Sequence, residues 1–335
     1  MAIFKIIKGF WGVKMILYHA VSTYQIVEVI LHRRKYYSKN KCILFLPDFI
    51  IDKYPDYFNV VQLGFFDEVY LCPYLYLKHD EKFIFENVQR LIQSCLPYDL
   101  YQFEKIYVAG AHFYLSVVLV QKKISFDMFE DAPGILSNWE VLYKELKQKY
   151  SVHAKIAADL KLFNGKNKNI KHIIVHDRVK NNPKRQKIFR VNEEIRHMQK
   201  EEIKRICMLF HAPYFDIDAA KYKIVLTERL YVLGKMSKEE QIKFYQEVVY
   251  KYVPEKKLII KPHPDDAIDY KKIFPNAIII PREVPAELLP YLFKERAKKI
   301  LAGNTTAINS LRTFFIIEKY TEEKYENYRS NSGKV

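Results

Sequence analysis

The stretch Leu258-Ile-Ile-Lys-Pro-His-Pro-Asp-Asp266 decides how this chain reads. Leu258 to Lys261 predict a short buried strand, because a continuous apolar run leaves no polar face. Pro262 and Pro264 end it, since neither has an amide hydrogen for a sheet ladder. His263, held between the two prolines, then stands at the C-terminal edge of a strand. In open α/β sheets that edge is where ligands bind. A histidine there, with its backbone restricted on both sides, is placed to donate to an anion. A surface turn that contains a histidine is the competing reading.

Outward from this strand the pattern alternates. Tyr222 to Leu226 precede it as a strand, and Ser237 opens a helix with Glu240 as capping-box partner. Ile242, Tyr245, Val248, Val249 and Tyr252 give that helix one apolar face. Ala277 to Ile280 form a further strand, a helix starts at Pro285, and Lys299 to Ala302 form the last clear strand, ending in Gly303-Asn304-Thr305-Thr306. The front half repeats the arrangement. Strands at Lys14–His19, Lys41–Leu46, Glu68–Cys72, Lys105–Ala109, Ile124–Phe129 and Lys171–Val175 alternate with helices beginning at Ser22 and spanning Phe83–Cys95, His112–Val120 and Trp139–Lys149. A further helix spans Glu193–Phe210. Such alternation predicts mostly parallel sheets covered on both faces.

The basic segment Arg178 to Arg190 marks the expected boundary, giving units 1–180 and 181–335. Two Rossmann-like, doubly wound α/β units facing each other across a cleft resemble the GT-B arrangement of nucleotide-sugar glycosyltransferases. Fold alone does not fix function.

Composition narrows the class. The 335 residues are 49% hydrophobic and 28% charged, which excludes a disordered chain. The formal net charge of +16 favours an anionic partner: nucleic acid, an anionic membrane face or a phosphorylated substrate. Against nucleic acid, the basic residues are spread along the chain and no recognised binding module is present. Cys42, Cys72, Cys95 and Cys207 form no CxxC pair and sit among apolar residues, as buried free thiols of a reducing compartment do. No stretch approaches the ~20 apolar residues of a membrane span. Met1 to Lys14 read as a basic amphipathic surface helix or as a first element packed on the domain. Lys324 to Val335 read as a frayed polar tail.

Three constellations lie just past strands. Glu130-Asp131 end the fifth strand. Adjacent carboxylates on extended backbone point to opposite sides, so one can face a cleft as a proton acceptor while the protein holds the other. An acidic turn before Pro133-Gly134 is the competing reading. His263 is the second constellation. Asn304-Thr305-Thr306 form the third, a hydroxyl pair expected at a helix N-terminus, where free N–H groups favour anions. Glu228, after the strand Tyr222 to Leu226, is a spare carboxylate, read either as a second candidate base or as a surface partner of Arg229. Asp265-Asp266 have no evident third ligand for a metal and read as a solvated turn.

In this order, Phe129-Glu130-Asp131-Ala-Pro-Gly134, Lys261-Pro-His-Pro264 and Thr305-Thr306 resemble the bacterial sialyltransferases, most closely glycosyltransferase family 52, with capsular polysialyltransferases as near relatives. Ile16-Leu-Tyr-His-Ala-Val-Ser-Thr-Tyr-Gln25 is similar to their opening strand and helix. The resemblance implies inverting transfer of sialic acid, or a related nonulosonic acid, from a CMP-activated donor to a sugar hydroxyl. It implies no metal and no cofactor. It casts Asp131 or Glu130 as general base. His263 becomes a ligand of the departing phosphate and its candidate proton donor. Thr305 and Thr306 become phosphate ligands, with Lys261, Asn304 and Pro264 beside the nucleotide. The chain departs from the pattern where Ala132-Pro133 precede Gly134, which leaves open which carboxylate faces the acceptor. The expected partners are a CMP-sugar donor, a lipid-linked or capsular glycan acceptor and an anionic membrane surface. The expected location is the cytoplasm, peripheral to the inner membrane face, where the positive charge would hold the protein. A transferase using another activated donor, a basic nucleic-acid-binding protein and an inactive glycan-binding relative are the alternatives.

Overall fold

The computed structural model describes residues 14–77, 84–180, 183–253, 257–303 and 305–320. Among these, β1 (Met15–His19), β2 (Lys41–Pro47), β3 (Glu68–Cys72), β4 (Phe103–Ala109), β5 (Phe126–Phe129), β6 (Ile170–Val175) and β7 (Gln186–Ile188) make one sheet in the order β3-β2-β1-β4-β5-β6-β7. Every pairing in it is parallel. The reason is visible in the strands themselves. Ile16, Leu17 and Tyr18, and Cys42 through Leu46, are at most 1% exposed, so both faces of these strands need a cover. Helices α1 (Thr23–Tyr36), α2 (Asn59–Gln62), α3 (Ile84–Cys95), α4 (Tyr114–Gln121), α5 (Trp139–Lys149) and α6 (Ser151–Asp159) accompany this sheet in the chain.

Helices α7 (Val191–Arg196) and α8 (Lys200–Leu209) lead into the back half. There β8 (Phe215–Asp218) pairs with β12 (Phe293–Glu295), while β9 (Lys223–Leu226), β10 (Leu258–Lys261), β11 (Ile278–Ile279), β13 (Lys299–Ala302) and β14 (Ile316–Lys319) form a parallel sheet, order β11-β10-β9-β13-β14. Helices α9 (Lys238–Tyr252), α10 (Tyr270–Ile273) and α11 (Ala307–Leu311) complete the described elements. In each sheet the first strand of the unit, β1 or β9, lies inside and its neighbours come from opposite directions of winding. Loops after such a strand border a crevice.

The halves are not loosely tethered. One apolar cluster runs from Ile16, Tyr18 and Ile30 through Phe210 to Ile224, Leu226 and Leu288. The Tyr54 hydroxyl donates to the Leu209 carbonyl (2.7 Å), and Arg282 donates to the Asp52 carbonyl (2.8 Å).

Several expectations change. The helix expected over 193–210 is two helices, because Gln199 caps α8 in a capping box with Glu202. The helix expected from Pro285 is a 3-10 turn, Ala286–Tyr291, containing Pro290. The basic segment 178–190 includes β7, which pairs with β6, so the first sheet continues past residue 180. Cys42, Cys72 and Cys207 are buried free thiols, whereas Cys95 is half-buried. The readings placed on residues 1–13 and 321–335 lie outside the described residues. Among the described residues, no helix is long and apolar enough to cross a membrane.

Candidate active site

Loops from both halves enclose a cleft of about 470 Å³. From the front half come the turn after β1, Lys53 and the Asp131–Pro133 turn; from the back half come Thr227–Arg229, Lys261–Asp265 and Thr305–Ala307. All three back-half loops leave the C-terminal ends of adjacent strands, β10, β9 and β13.

The acidic pair divides as extended backbone requires. Asp131 lines the cleft; Glu130 does not. Glu130 is 3% exposed and holds the turn together, accepting from the His176 N–H (2.7 Å) and the Gly134 N–H (3.2 Å). Burial pushes its carboxyl up to about 7, against the pull of those backbone donors. Asp131 accepts at Oδ1 from Gln25 Nε2 (3.1 Å), and burial raises it above the ordinary carboxylate value while Gln25 and Arg229 draw it back. A partly desolvated carboxylate with one oxygen anchored suits proton abstraction.

His263, from the other half, lines the same cleft. The Asp265 N–H donates to its Nδ1 (3.0 Å), so the ring proton sits on Nε2. Burial first, then the charge of Arg229, pushes the imidazole down to about 3. His263 is thus a neutral hydrogen-bond donor at neutral pH. Its own N–H donates to Thr227 Oγ1 (3.3 Å), which fixes the loop to β9.

Thr305 and Thr306 line the cleft beside it. The helix they precede, α11, is only five residues long, so the hydroxyls are their main asset and the expected dipole is small. Asn304 lies outside the described residues. Lys261 is on the cleft wall, but its Nζ donates to the carbonyls of Pro262 (2.5 Å) and Arg282 (3.1 Å), and burial pushes it down to about 7. Its first task is to hold the loop. Pro264 shapes the wall.

Glu228 lines the cleft with its Oε1 accepting from the Tyr320 hydroxyl (3.2 Å). Arg229 pairs with Asp265 (2.5 Å) and reaches Glu145 at 3.7 Å. Asp265 and Asp266 are not a solvated turn. Burial would raise Asp265, but Lys53 and Arg229 draw it down to about 2. Asp266, 1% exposed, accepts from Thr227 (2.8 Å), Gln241 (3.1 Å) and Tyr270 (2.7 Å). Among the described residues, no group of three His, Cys, Asp or Glu side chains is disposed to hold a metal ion.

The sequence assigned no role in the site to Lys53, Arg229 or Gln25, and the expected surface pair of Glu228 with Arg229 gives way to Arg229–Asp265. For Gln25 a signal existed: it lies three residues past Ser22, the capping-box spacing, and its carboxamide faces the chain start, with Oε1 accepting from the Val21 N–H (2.8 Å).

Comparison with solved structures settles the architecture. An alpha/beta-galactoside alpha-2,3-sialyltransferase from the luminous marine bacterium Photobacterium phosphoreum superposes with a TM-score of 0.52 at 12% identity, covering 93% of this chain and 92% of its own. The fold is GT-B. Arabidopsis thaliana UGT89C1, solved with UDP-L-rhamnose, gives 0.52 at 8% identity over 97% and 83% of the two chains. UDP-N-acetylglucosamine 2-epimerase from Rickettsia bellii gives 0.51 at 10% identity over 91% and 78%. In sequence, an uncharacterized protein of Haemophilus influenzae (strain Rd) is 27% identical over 234 residues, 67% of this chain and 69% of its own. No family model matches the chain.

Proposed function

We propose that the chain is an inverting, metal-independent glycosyltransferase that moves sialic acid, or a related nonulosonic acid, from a CMP-activated donor to a sugar hydroxyl of a bacterial surface glycan. The observation that carries this reading is that Asp131 and His263, from opposite halves of a GT-B fold, line one cleft.

In this proposal Asp131 takes the proton of the acceptor hydroxyl as its oxygen bonds to the donor's anomeric carbon. The bond from that carbon to the phosphate oxygen breaks on the far side, and its electron pair leaves with CMP. The Nε2–H of His263 and the hydroxyls of Thr305 and Thr306 donate to the phosphate as its charge grows, the role fixed donors play at a developing anion. Glu130, protein-held, keeps the Asp131 turn in place. The acceptor is a lipid-linked or capsular glycan, and the +16 charge draws the protein to the anionic inner face of the membrane from the cytoplasm.

The test is direct. Purified protein with CMP-sialic acid and a galactose-terminated acceptor is expected to release CMP, and His263→Ala to abolish the release. Failure to bind or turn over any cytidine nucleotide, with UDP-sugars run in parallel, overturns the donor assignment.

A further inference from the structure

Two cations approach the cleft from opposite halves. Lys53 follows the 3-10 turn Asp48–Ile50 behind β2; Arg229 follows β9. Both line the cleft. Both also pair with one carboxylate, that of Asp265: Arg229 Nη1 lies 2.5 Å from Oδ2, and Lys53 Nζ pairs with Oδ1. Asp265 is two residues past His263 and its N–H anchors the imidazole. The pair of cations therefore sits beside the proposed phosphate ligand, one on each oxygen of the Asp265 carboxylate.

The charges do not cancel. Lys53, Arg229 and Asp265 together carry one positive charge in excess. Glu145, at 3.7 Å and with 44% of its side chain exposed, is a screened partner of Arg229, and Asp131 also feels the guanidinium's charge, so the surplus belongs to the Lys53–Arg229–Asp265 trio alone. A surplus cation in a cleft wall binds an anion; arginine, with its planar fork, binds a carboxylate or phosphate best.

We infer that Lys53 and Arg229 form an anion subsite of the cleft, one residue from each half, that takes an acidic group of the donor, with Asp265 as their fixed counter-ion. The inference rests on the donor reading above and deepens it. A CMP-nonulosonate carries two neighbouring anionic groups, a phosphate and the carboxylate of the sugar. His263, Thr305 and Thr306 account for one; Lys53 and Arg229 account for a second. The shared chemistry is a resonance-stabilised oxyanion, and the choice between its two sources is a matter for binding measurements.

Calorimetric titration of CMP, CMP-sialic acid and inorganic pyrophosphate into the wild type and into Lys53→Gln, Arg229→Gln and Asp265→Asn tests it, with far-UV circular dichroism confirming that each variant is folded. Loss of a charge-assisted contact predicts about tenfold weaker binding of CMP-sialic acid to Lys53→Gln and Arg229→Gln. If CMP binding changes less than about twofold, the subsite holds the sugar's carboxylate; if CMP weakens equally, it holds the phosphate. Asp265→Asn raises the surplus to two charges and is expected to bind at least as tightly as the wild type, with a steeper loss on adding salt. A merely structural trio would give losses in all three variants. Wild-type affinity in both cation variants overturns the subsite. Should the wild type bind no cytidine ligand, the donor reading falls alone. Pyrophosphate then decides: binding that weakens in both cation variants upholds the subsite, and equal or no binding overturns it.

Discussion

Gln25 Nε2 lies 3.0 Å from the main-chain oxygen of Asp131 and 3.1 Å from its Oδ1. The carboxamide is itself held by the Val21 N–H and is 1% exposed, so it grips Asp131 in one orientation. Gly110 closes on the same carboxylate: a Cβ there would stand 2.9 Å from Oδ1. Hydrogen bonds to charged groups contribute about 1.5–3 kcal/mol, and about 1.4 kcal/mol is a factor of ten. Gln25→Ala is therefore expected to lower turnover about tenfold or more while calorimetric nucleotide affinity stays within about twofold. Comparable loss in both would make Gln25 a folding residue and leave Asp131 without a dedicated anchor.

The proposed proton acceptor has a pH signature. Burial sets the Asp131 pKa above the ordinary carboxylate value, with Gln25 and Arg229 pulling the other way. A base works only when ionised, so turnover is expected to fall as pH drops through this raised pKa. Asp131→Asn is expected to remove that acid limb and cost roughly 10²–10⁴-fold in turnover, with donor affinity retained. Glu228, tied to Tyr320 on the donor side, is expected to behave differently: Glu228→Gln keeps the limb and raises the donor KM. A limb that survives in Asp131→Asn and vanishes in Glu228→Gln would transfer the role to Glu228.

His263 predicts how stability responds to acid. Its folded pKa is pushed to about 3, chiefly by burial, from an unfolded value near 6.5. Between those values the unfolded chain binds more protons, so stability from this group is intact above about pH 6.5 and is lost as pH falls toward 3. His263→Asn is expected to lose about 1–2 kcal/mol less than the wild type between pH 7 and pH 5 in denaturant titrations. The other buried histidines with lowered values, His19, His32, His112 and His176, keep part of the acid sensitivity in both proteins. Identical losses would mean the His263 ring takes a proton without penalty.

What could be read from the sequence follows from the range of the interactions. The runs Glu68–Cys72, Leu258–Lys261 and Lys299–Ala302 are strands with the expected bounds; the last two are buried parallel strands that announce themselves by local composition, while Glu68–Cys72, a half-buried edge strand, keeps enough of an apolar run to be read. Short partly exposed strands such as β8 and β12 carry no such run. The placement of Asp131, His263, Thr305 and Thr306 after strands was legible for the same reason. Which of Glu130 and Asp131 faces the cleft was not, because the donors that turn Glu130 inward include an amide 46 residues away, at His176. Asp265-Asp266 looked like a solvated turn since their partners, Lys53, Arg229, Thr227, Gln241 and Tyr270, come from other loops and helices. The surplus positive charge at Lys53 and Arg229 exists only once the halves pack.

Gly303 offers a test of how tightly the donor side is built. It begins the loop after β13, and a Cβ there would fall 1.9 Å from Glu228 Oε1 and 2.7 Å from the Tyr320 hydroxyl. Both atoms are the ends of side chains, so the fold can yield by swinging Glu228 away from Tyr320 without moving backbone. Gly303→Ala is expected to fold, to cost about 1–3 kcal/mol as overpacking does, and to weaken nucleotide binding because the displaced carboxylate lies on the cleft. Gly234→Ala is the control. At φ +66° with nothing within 4 Å of the added carbon, it carries a cost of about 1 kcal/mol in backbone conformation alone and is expected to leave nucleotide affinity unchanged. If Gly303→Ala bound nucleotide as the wild type does, the carboxylate of Glu228 would have no part in holding the donor, and its contact with Tyr320 would serve only to close β14 onto the sheet.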